Sequence, residues 1–241
     1  MKPSIAKHWE QNVIRVTENL RKIRDLLAKA AVEAGRDPDT VQLLAVSKKQ
    51  PVSSVVEAAS AGQRDFGENQ LQEGLEKIAA VADDELVWHF IGHLQTNKTR
   101  PVAEHFHWVH SVDRLKTAAR LSRQRPDELG DLNICLQVNV DLEESKSGVC
   151  VDAVAELAGQ VAELPRLKLR GLMCLPAVRH GFAAQREPFA RLSRLADQLR
   201  ANGIPTDTLS MGMSDDYRAA IFEGATIVRV GTAIFGPRIE S

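Results

Sequence analysis

The residues that could carry chemistry begin with Lys48, in the stretch Gln42 to Pro51, QLLAVSKKQP. The apolar run Leu43 to Val46 predicts a short buried strand of a parallel sheet, with Lys48 just beyond its carboxyl end. Proteins with α/β folds place their reactive groups at that edge. A lysine beside apolar packing loses part of its proton affinity, and a neutral amine attacks a carbonyl to form a Schiff base. The alternative is a solvated lysine pair, because lysine is seldom buried without a partner.

Two further loops could bind an anion. They follow the last two strand patterns, in LSMGMS with Ser210 and in VRVGTA with Gly231 and Thr232. Glycine allows the backbone to approach an oxyanion, while N–H groups and the two hydroxyls can donate hydrogen bonds to it. Ser214 and the two acids after it fit a helix cap, and those acids would repel a phosphate. We therefore place the anion on the Ser210 and Gly231–Thr232 loops, although either could be an ordinary turn.

Arg229 is unusual because it lies between Val228 and Val230 in an apolar strand pattern. Strand alternation places Ile227, Arg229 and Gly231 on one face. A buried guanidinium keeps its proton and needs an acceptor. We therefore expect either a structural ion pair or an arginine that faces the site and donates to a ligand nitrogen or anion.

The histidines do not follow a metal-binding pattern. In a strand, His105 and His107 would share one face and His110 would point to the other. His89 and His93 have helical spacing, but LVWHFIG is a strand pattern, so they are not expected to bind one metal ion. We interpret His89 as a core or supporting residue.

Eight short apolar segments, each followed by a helical pattern, must position these residues. Ahead of them, apolar residues recur every three or four positions from Ile5 to Ala34 and predict one amphipathic helix. No linker rich in Pro, Gly or Ser divides the chain. We therefore predict a single α/β domain over residues 1–241, a (β/α)8 TIM barrel with an extra N-terminal helix, with a doubly wound sheet as the alternative. Three helices are predicted to start at serine or aspartate N-caps, namely Ser53, Asp113 and Ser214.

Composition excludes several classes of protein. The formal net charge is -1 and the basic residues are scattered, so a nucleic-acid partner is not expected. No apolar run approaches the ~20 residues of a membrane span, and the N-terminus lacks the apolar segment of a signal peptide. An odd number of cysteines without CxxC spacing indicates reduced core thiols at Cys135, Cys150 and Cys174. We expect a cytoplasmic protein with no bound metal.

Together, the motifs resemble the pyridoxal phosphate (PLP) homeostasis proteins, a PLP-binding family similar to the N-terminal barrel of bacterial alanine racemase. The resemblance runs along nearly the whole chain, through AVSKKQP, FGENQLQE, WHFIGHLQTNK, HSVD, QVNV with ESKSG, RGLMCLP, LSMGMSDD and VRVGTAIFG. It implies the alanine racemase N-terminal fold and PLP as the cofactor.

The resemblance also implies roles for single residues. The lysine of AVSK, Lys48, would carry PLP as an internal aldimine. Arg229 would face the pyridine nitrogen, and Asn69 in FGEN, otherwise a turn residue, would lie near the ring. The residues implied for the phosphate are Ser210, Gly231 and Thr232.

A protonated guanidinium cannot pass a proton to the pyridine nitrogen, so PLP beside Arg229 would be a poor electron sink. A two-base racemase also needs acid and base groups on both faces of the cofactor, and the one tyrosine, Tyr217, is predicted to pack or lie at the rim. We therefore expect no catalytic residues and a monomeric, non-enzymatic PLP carrier that serves PLP homeostasis and amino-acid balance and could supply PLP-dependent acceptor enzymes.

Two alternatives stay open. One is a PLP-dependent amino-acid racemase, and the other is a class I aldolase in which Lys48 attacks a sugar phosphate. Lys146, in ESKSG, is either a loop lysine or a second amine that receives PLP during transfer.

Overall fold

The computed structural model describes residues 5–141 and 147–237, with side chains from Arg15 onwards. Helices and strands alternate along nearly all of this length. In chain order they are α1 (Ile5–Glu33), β1 (Gln42–Val46), α2 (Val52–Ser60), β2 (Asp65–Glu68), α3 (Leu71–Val81), β3 (Val87–Phe90), α4 (Thr99–His105), β4 (Trp108–Val112), α5 (Leu115–Gln124), β5 (Leu132–Asn139), β6 (Val149–Cys150), α6 (Val154–Ala162), β7 (Leu167–Met173), α7 (Phe182–Ala201), β8 (Thr208–Ser210), α8 (Tyr217–Phe222), β9 (Ile227–Val230) and α9 (Thr232–Phe235).

Eight parallel strands close into a barrel. Each strand from β1 to β5 pairs with the next, and the ring continues through β7, β8 and β9. Pairing between β9 and β1 completes the ring, whereas the two-residue β6 pairs with β5 at its side. A doubly wound sheet has two open edges. The closure therefore confirms the predicted (β/α)8 barrel and excludes that alternative.

Apolar side chains pack on both faces of the barrel wall. The inner face carries a small cluster of Leu44, Trp108, Cys135, Met173 and Ile227. On the outer face, Val228 and Val230 belong to a much larger cluster that packs the strands against the helices. Because successive strand residues point to opposite faces, Ile227 inside and Val228 and Val230 outside confirm the alternation predicted for β9.

The predicted N-terminal helix is present as α1. Its buried residues Val16, Leu20, Ile23 and Leu27 recur every three or four positions and join the outer cluster, as expected for a helix with one apolar face. The helix packs against α2, α8 and α9. Over the part of the chain that the structure describes, no helix combines the length and apolarity needed to cross a membrane.

The three predicted serine and aspartate N-caps are wrong. Helix α2 begins at Val52 directly after Pro51, because proline supplies an extended residue before the first turn and Ser53 already lies inside the helix. Helix α5 begins at Leu115, after Arg114 rather than Asp113. Helix α8 begins only after Asp216, and residues 214–216 form a hydrogen-bonded turn ahead of it, so Ser214 does not cap the helix.

The cysteines divide into two environments. Cys135 and Cys174 are fully buried, and burial raises the pKa of each thiol to about 12. A thiol with so high a pKa is a poor nucleophile, which agrees with the predicted reduced core thiols. Cys150 is exposed at the end of β6, so its assignment to the core is wrong.

Candidate functional site

A cavity of about 770 Å³ opens at the carboxyl ends of the barrel strands. Pockets of ~300–1,000 Å³ suit a small ligand or cofactor. Parallel strands bring residues that are distant in sequence to this end of a barrel. Five of the six predicted site residues line the cavity, namely Lys48, Asn69, Arg229, Gly231 and Thr232.

Ser210, the sixth predicted residue, is placed differently. Its side chain is fully buried, and the residues that line the cavity do not include it. The hydroxyl contacts Arg229 Nη1 at 2.8 Å and His110 Nδ1 at 2.8 Å. Ser210 therefore lies beneath the cavity and supports the arginine in its wall.

Arg229 is held by neutral groups. Its Nη1 donates to the carbonyl oxygen of Ser210 at 2.6 Å as well as to the hydroxyl, and Nη2 donates to the carbonyl oxygen of Cys174 at 2.9 Å. These contacts use three of the five guanidinium N–H groups. Arg229 is only 4% exposed, yet it lines the cavity. Among the described residues, no carboxylate forms an ion pair with Arg229. The two remaining guanidinium N–H groups are left for an acceptor in the cavity.

Asn69 and Gly92 meet at the carboxyl ends of the neighbouring strands β2 and β3. Asn69 follows β2, and its buried Oδ1 has no hydrogen-bond partner among the residues that the structure describes. Gly92 follows β3, and a Cβ atom there would lie 2.0 Å from the carbonyl oxygen of Asn69. Glycine at position 92 is therefore what allows the Asn69 backbone to lie where its amide reaches the cavity. A buried polar atom without a partner is costly, which points to a ligand as the missing partner.

Replacing Gly92 by alanine tests this close packing. We expect Gly92→Ala to lower the free energy of unfolding by about 1–3 kcal/mol, because the new methyl group must push the Asn69 backbone aside. Gly159→Ala in α6 is the control. A Cβ at residue 159 meets nothing within 4 Å, so alanine should leave stability unchanged or raise it by up to about 1 kcal/mol. Urea unfolding of both variants measures the difference, and equal stabilities would contradict the assigned role of Gly92.

The opposite side of the cavity offers groups for an anion. A Cβ at Gly231 would lie 3.0 Å from the carbonyl oxygen of Val46, so glycine keeps these two backbones close. Thr232 opens α9, where the first N–H groups of a helix have no partner within it. Ser214, interpreted from the sequence as a cap, also lines the cavity. In the same loop, the carboxylate of Asp216 accepts the Met213 N–H at 2.6 Å, and burial raises the pKa of this carboxyl.

A buried ionic cluster holds the backbone on either side of Lys48. The Lys77 ammonium donates to the Ser47 carbonyl at 2.6 Å, to Glu68 at 2.7 Å and to Glu73 at 2.6 Å. Glu73 also accepts the Lys49 N–H at 2.5 Å, where the chain is left-handed with φ of 58°. Burial raises the pKa of the Glu68 carboxyl, although the Lys77 ammonium opposes that rise. Lys77 is 3% exposed, and its cluster fixes the turn that directs Lys48 to the cavity.

Two histidines lie inside the barrel below the cavity. His89 and His110 are fully buried, and their Nδ1 and Nε2 atoms are 3.0 Å apart. The interpretation of His89 as a core residue is thus confirmed, and His105, which ends α4, lies outside the strand that carries His110. Within the described ranges, no cluster of three or more His, Cys, Asp or Glu residues is suited to a metal ion.

These imidazoles predict a pH dependence of stability. Burial lowers the pKa of His89 and lowers that of His110 well below its usual value. Between the lowered value and about 6.5, the unfolded chain binds more protons than the folded protein, so stability falls as the pH drops below about 6.5, by up to ~1.4 kcal/mol per pH unit for each imidazole. Urea unfolding between pH 7.5 and 5 should show this slope. It should be shallower in His110→Gln and retained in His180→Gln, at an exposed position; a stability that does not change over this range would contradict the argument.

The sequence does not reveal the roles of two residues of the site and only partly that of a third. Gly92 is predicted among the strand exits that meet at the cavity, but its packing against Asn69 is not. Ser214 is predicted as a helix cap, and Lys77 looks like an ordinary exposed helix lysine. Only its i,i+4 spacing from Glu73 signals an ion pair, and that spacing does not reveal burial. Lys146 lies outside the described residues.

Known proteins resemble this chain over nearly its whole length. Residues 12–238 match the family model of the alanine racemase N-terminal domain. A pyridoxal phosphate homeostasis protein from Pseudomonas aeruginosa is 58% identical over 223 residues, which cover 92% of this chain and 96% of that protein. The protein of the same name from Escherichia coli K12 is 50% identical over 226 residues, covering 92% of this chain and 97% of that one.

A solved structure shows the same relationship in three dimensions. PipY of Synechococcus elongatus, in a structure with PLP bound, is 37% identical and superposes with a TM-score of 0.80, covering 92% of this chain and all of the PipY chain. An alanine racemase from Corynebacterium glutamicum is only 14% identical with a TM-score of 0.71, and it shows the shared fold alone.

Proposed function

This chain belongs to the family of the pyridoxal phosphate homeostasis proteins, within the alanine racemase N-terminal domain family, and from that premise we propose that it is a PLP carrier that holds the cofactor covalently on Lys48 and releases it on demand. The proposal includes a role in intracellular PLP homeostasis and amino-acid balance. One observation carries it: an amine, an amide, a guanidinium and a glycine-threonine turn from distant parts of the chain line one cavity.

The residues present fit the chemical groups of PLP. The Asn69 Oδ1 atom, buried without a protein partner among the described residues, is placed to contact a polar group on the ring. Arg229 retains N–H groups towards the cavity and would donate one to the pyridine nitrogen. Gly231 and Thr232 would bind the phosphate through backbone N–H groups and a hydroxyl.

Ser214 is proposed as the serine that contacts the phosphate directly, because it lines the cavity. The role implied for Ser210 remains a prediction, and the Ser210 hydroxyl is engaged by Arg229 and His110. We therefore propose that Ser210 contributes through the position of Arg229. Replacing Ser214 by alanine should weaken PLP binding more than replacing Thr206, a buried threonine remote from the cavity.

Bound PLP supplies an electrophilic aldehyde carbon and a conjugated ring that can accept electrons. The residues around the cavity favour reversible binding of PLP over catalytic turnover. Arg229 stays protonated, so it donates a hydrogen bond to the ring without giving up a proton and leaves the ring a weak electron sink. Apolar side chains of Ile91 and Met173 line the same cavity and limit the access of water.

A two-base racemase needs proton donors on both faces of the ring. Besides Lys48 and Arg229, the titratable residues that line the cavity in the described part of the chain are His93 and Asp215. His93 is exposed at the rim. The single tyrosine, Tyr217, is partly buried against the outer cluster instead of lining the cavity. This arrangement supports a carrier, which could pass PLP to dependent acceptor enzymes.

The test combines a binding measurement with a turnover measurement. Purified protein mixed with PLP should show a yellow chromophore that borohydride fixes to one lysine, identified by peptide mass mapping. The same preparation, incubated with single L- or D-amino acids, should give no steady-state racemisation. Robust turnover would replace the carrier with the racemase alternative. A colourless protein that instead forms a borohydride-stable bond with a sugar phosphate would support the aldolase alternative.

A further inference from the structure

A continuous chain of hydrogen bonds crosses the interior of the barrel below the cavity. Arg229 Nη1 lies 2.8 Å from Ser210 Oγ, and Ser210 Oγ lies 2.8 Å from His110 Nδ1. His110 Nε2 lies 3.0 Å from His89 Nδ1, and His89 Nε2 lies 3.1 Å from Asp65 Oδ1. We call these five residues the relay. Asp65 is the first residue of β2, so the relay runs from the cavity to the amino end of the barrel.

The two ends of the relay carry opposite charges and fix its direction. The Arg229 guanidinium can only donate hydrogen bonds, and an ionised Asp65 carboxylate can only accept them. Partial burial alone would raise the pKa of Asp65, but hydrogen bonds from His89 and Gln42 and the nearby imidazoles outweigh it and lower the pKa. Asp65 is therefore an anion at neutral pH.

Only one arrangement of protons satisfies every link between these ends. His89 must donate from Nε2 to Asp65 and so accept at Nδ1. His110 must then donate from Nε2 to His89 and accept at Nδ1 from the Ser210 hydroxyl, whose oxygen accepts from Arg229. Each neutral imidazole has one donor and one acceptor nitrogen, which matches these roles. The opposite tautomer of either ring would place two N–H groups or two lone pairs in contact.

The surroundings of the relay exclude competing partners. His89 and His110 are both fully buried, and Trp108 stacks on His89 with the ring centroids 5.4 Å apart and the planes 10° apart. Around Asp65, the neighbouring polar and titratable groups are Gln42, His89 and His107. The Asp65 side chain is 18% exposed and Arg229 lines the cavity, so solvent reaches the relay only at its two ends.

We propose that Asp65 is a positioning residue for the cavity, acting as the remote counter-ion of Arg229 through a relay of neutral, uniquely oriented groups. Arg229 otherwise contacts only uncharged acceptors among the described residues. Burial lowers the pKa of the guanidinium, and the Asp216 carboxyl opposes this through its charge, so Asp65 is a second, remote carboxylate. Aligned hydrogen bonds polarise one another in a low-dielectric interior, and here each acceptor atom points towards the guanidinium and each donor towards Asp65. The relay thus stabilises the buried cation and holds its remaining N–H groups towards the cavity.

The expected effect of Asp65 on PLP binding rests on the proposed function, whereas the arrangement of protons in the relay does not. Nitrogen-15 NMR of the unliganded protein at neutral pH should show His89 and His110 as neutral rings protonated on Nε2. In Asp65→Asn the amide can donate as well as accept, so the enforced direction is lost and at least one of the two rings should populate the Nδ1-protonated form. Asp127→Asn removes a carboxylate from the same end of the barrel, where it pairs with Arg166, and should leave both rings unchanged.

Binding provides the second readout. The dissociation constant for PLP, measured by absorbance, should rise about tenfold in Asp65→Asn, because a link to a charged group is lost. In Asp127→Asn it should change by less than about twofold, as expected of an exposed ion pair. Wild-type rings that are charged or protonated on Nδ1 would overturn the proposal, as would an Asp65→Asn protein with both rings and PLP affinity unchanged. If PLP fails to bind the wild type, the proposed function is wrong, and the NMR spectra alone test the proton arrangement of the relay. If Asp65→Asn does not fold, the wild-type NMR spectrum still tests whether both rings are neutral and protonated on Nε2.

Discussion

Replacing Lys48 by arginine is expected to abolish covalent PLP binding. Arginine keeps the positive charge at the cavity but has no primary amine to bond with the aldehyde carbon. The yellow chromophore and the borohydride-fixed cofactor should therefore both fall to background. The barrel should remain folded, since Lys48 is half-buried at the cavity and lies outside both apolar clusters.

Lys49→Arg is the matched control for this experiment. Residue 49 is exposed and adopts the left-handed region, with its N–H bonded to Glu73, and it is not among the residues that line the cavity. Its variant should bind PLP with the spectrum of the wild type. Fixation that persists in Lys48→Arg and disappears in Lys49→Arg would show that the neighbouring lysine is the attachment site and would overturn the proposed carrier geometry.

Replacing Lys77 by methionine is expected to cause the largest loss of stability. The change removes the ammonium from the cluster but leaves the fully buried Glu68 carboxylate, one oxygen of which already has no partner in the described structure. Removing one partner of a buried ion pair lowers the free energy of unfolding by about 3–5 kcal/mol, because the remaining charge is uncompensated. Urea unfolding of the cofactor-free protein measures this loss. Lys22→Met, at an exposed position of α1, should change stability by less than about 0.5 kcal/mol.

A double variant separates the charge effect from simple loss of packing. Lys77→Met combined with Glu68→Gln leaves no buried charge between these two positions, so it should recover a large part of the stability lost in Lys77→Met alone. A double variant that is less stable than Lys77→Met would show that the cluster acts through packing. The borohydride assay adds a functional readout, because loss of the Ser47 carbonyl contact should also slow fixation of PLP on Lys48.

The local sequence pattern predicted the barrel and the position of Lys48 at the cavity. Apolar segments alternating with helical patterns can bury their faces only in a closed or layered parallel sheet, and Lys48 directly follows the first of them. Alternation along β9 likewise placed Arg229 on the inner face with Ile227. These features depend on residue periodicity over short stretches of the chain, so they can be predicted from the sequence.

The tertiary structure alone decided which hydroxyl reaches the cavity. Strand register aligns Ser210 with Ile227 of the inner cluster, and the Ser210 hydroxyl contacts His110 and Arg229. Ser210 therefore lies one layer below the cavity, while Ser214, four residues later in a loop, reaches it. Barrel closure sets the stagger between adjacent strands, and the residue pattern of β8 does not reveal this stagger.

The ionic and imidazole contacts likewise depend on the closed fold. Lys77 becomes buried because α3 packs over the end of β1, and His89 meets His110 because β3 and β4 are adjacent in the barrel wall. In the sequence, Lys77 resembles an exposed helix lysine and the two histidines are separated by 21 positions. The sequence by itself thus determined the fold and the chemical types at the cavity, whereas burial and long-range pairing, which set the charge and orientation of those groups, were decided only by the tertiary structure.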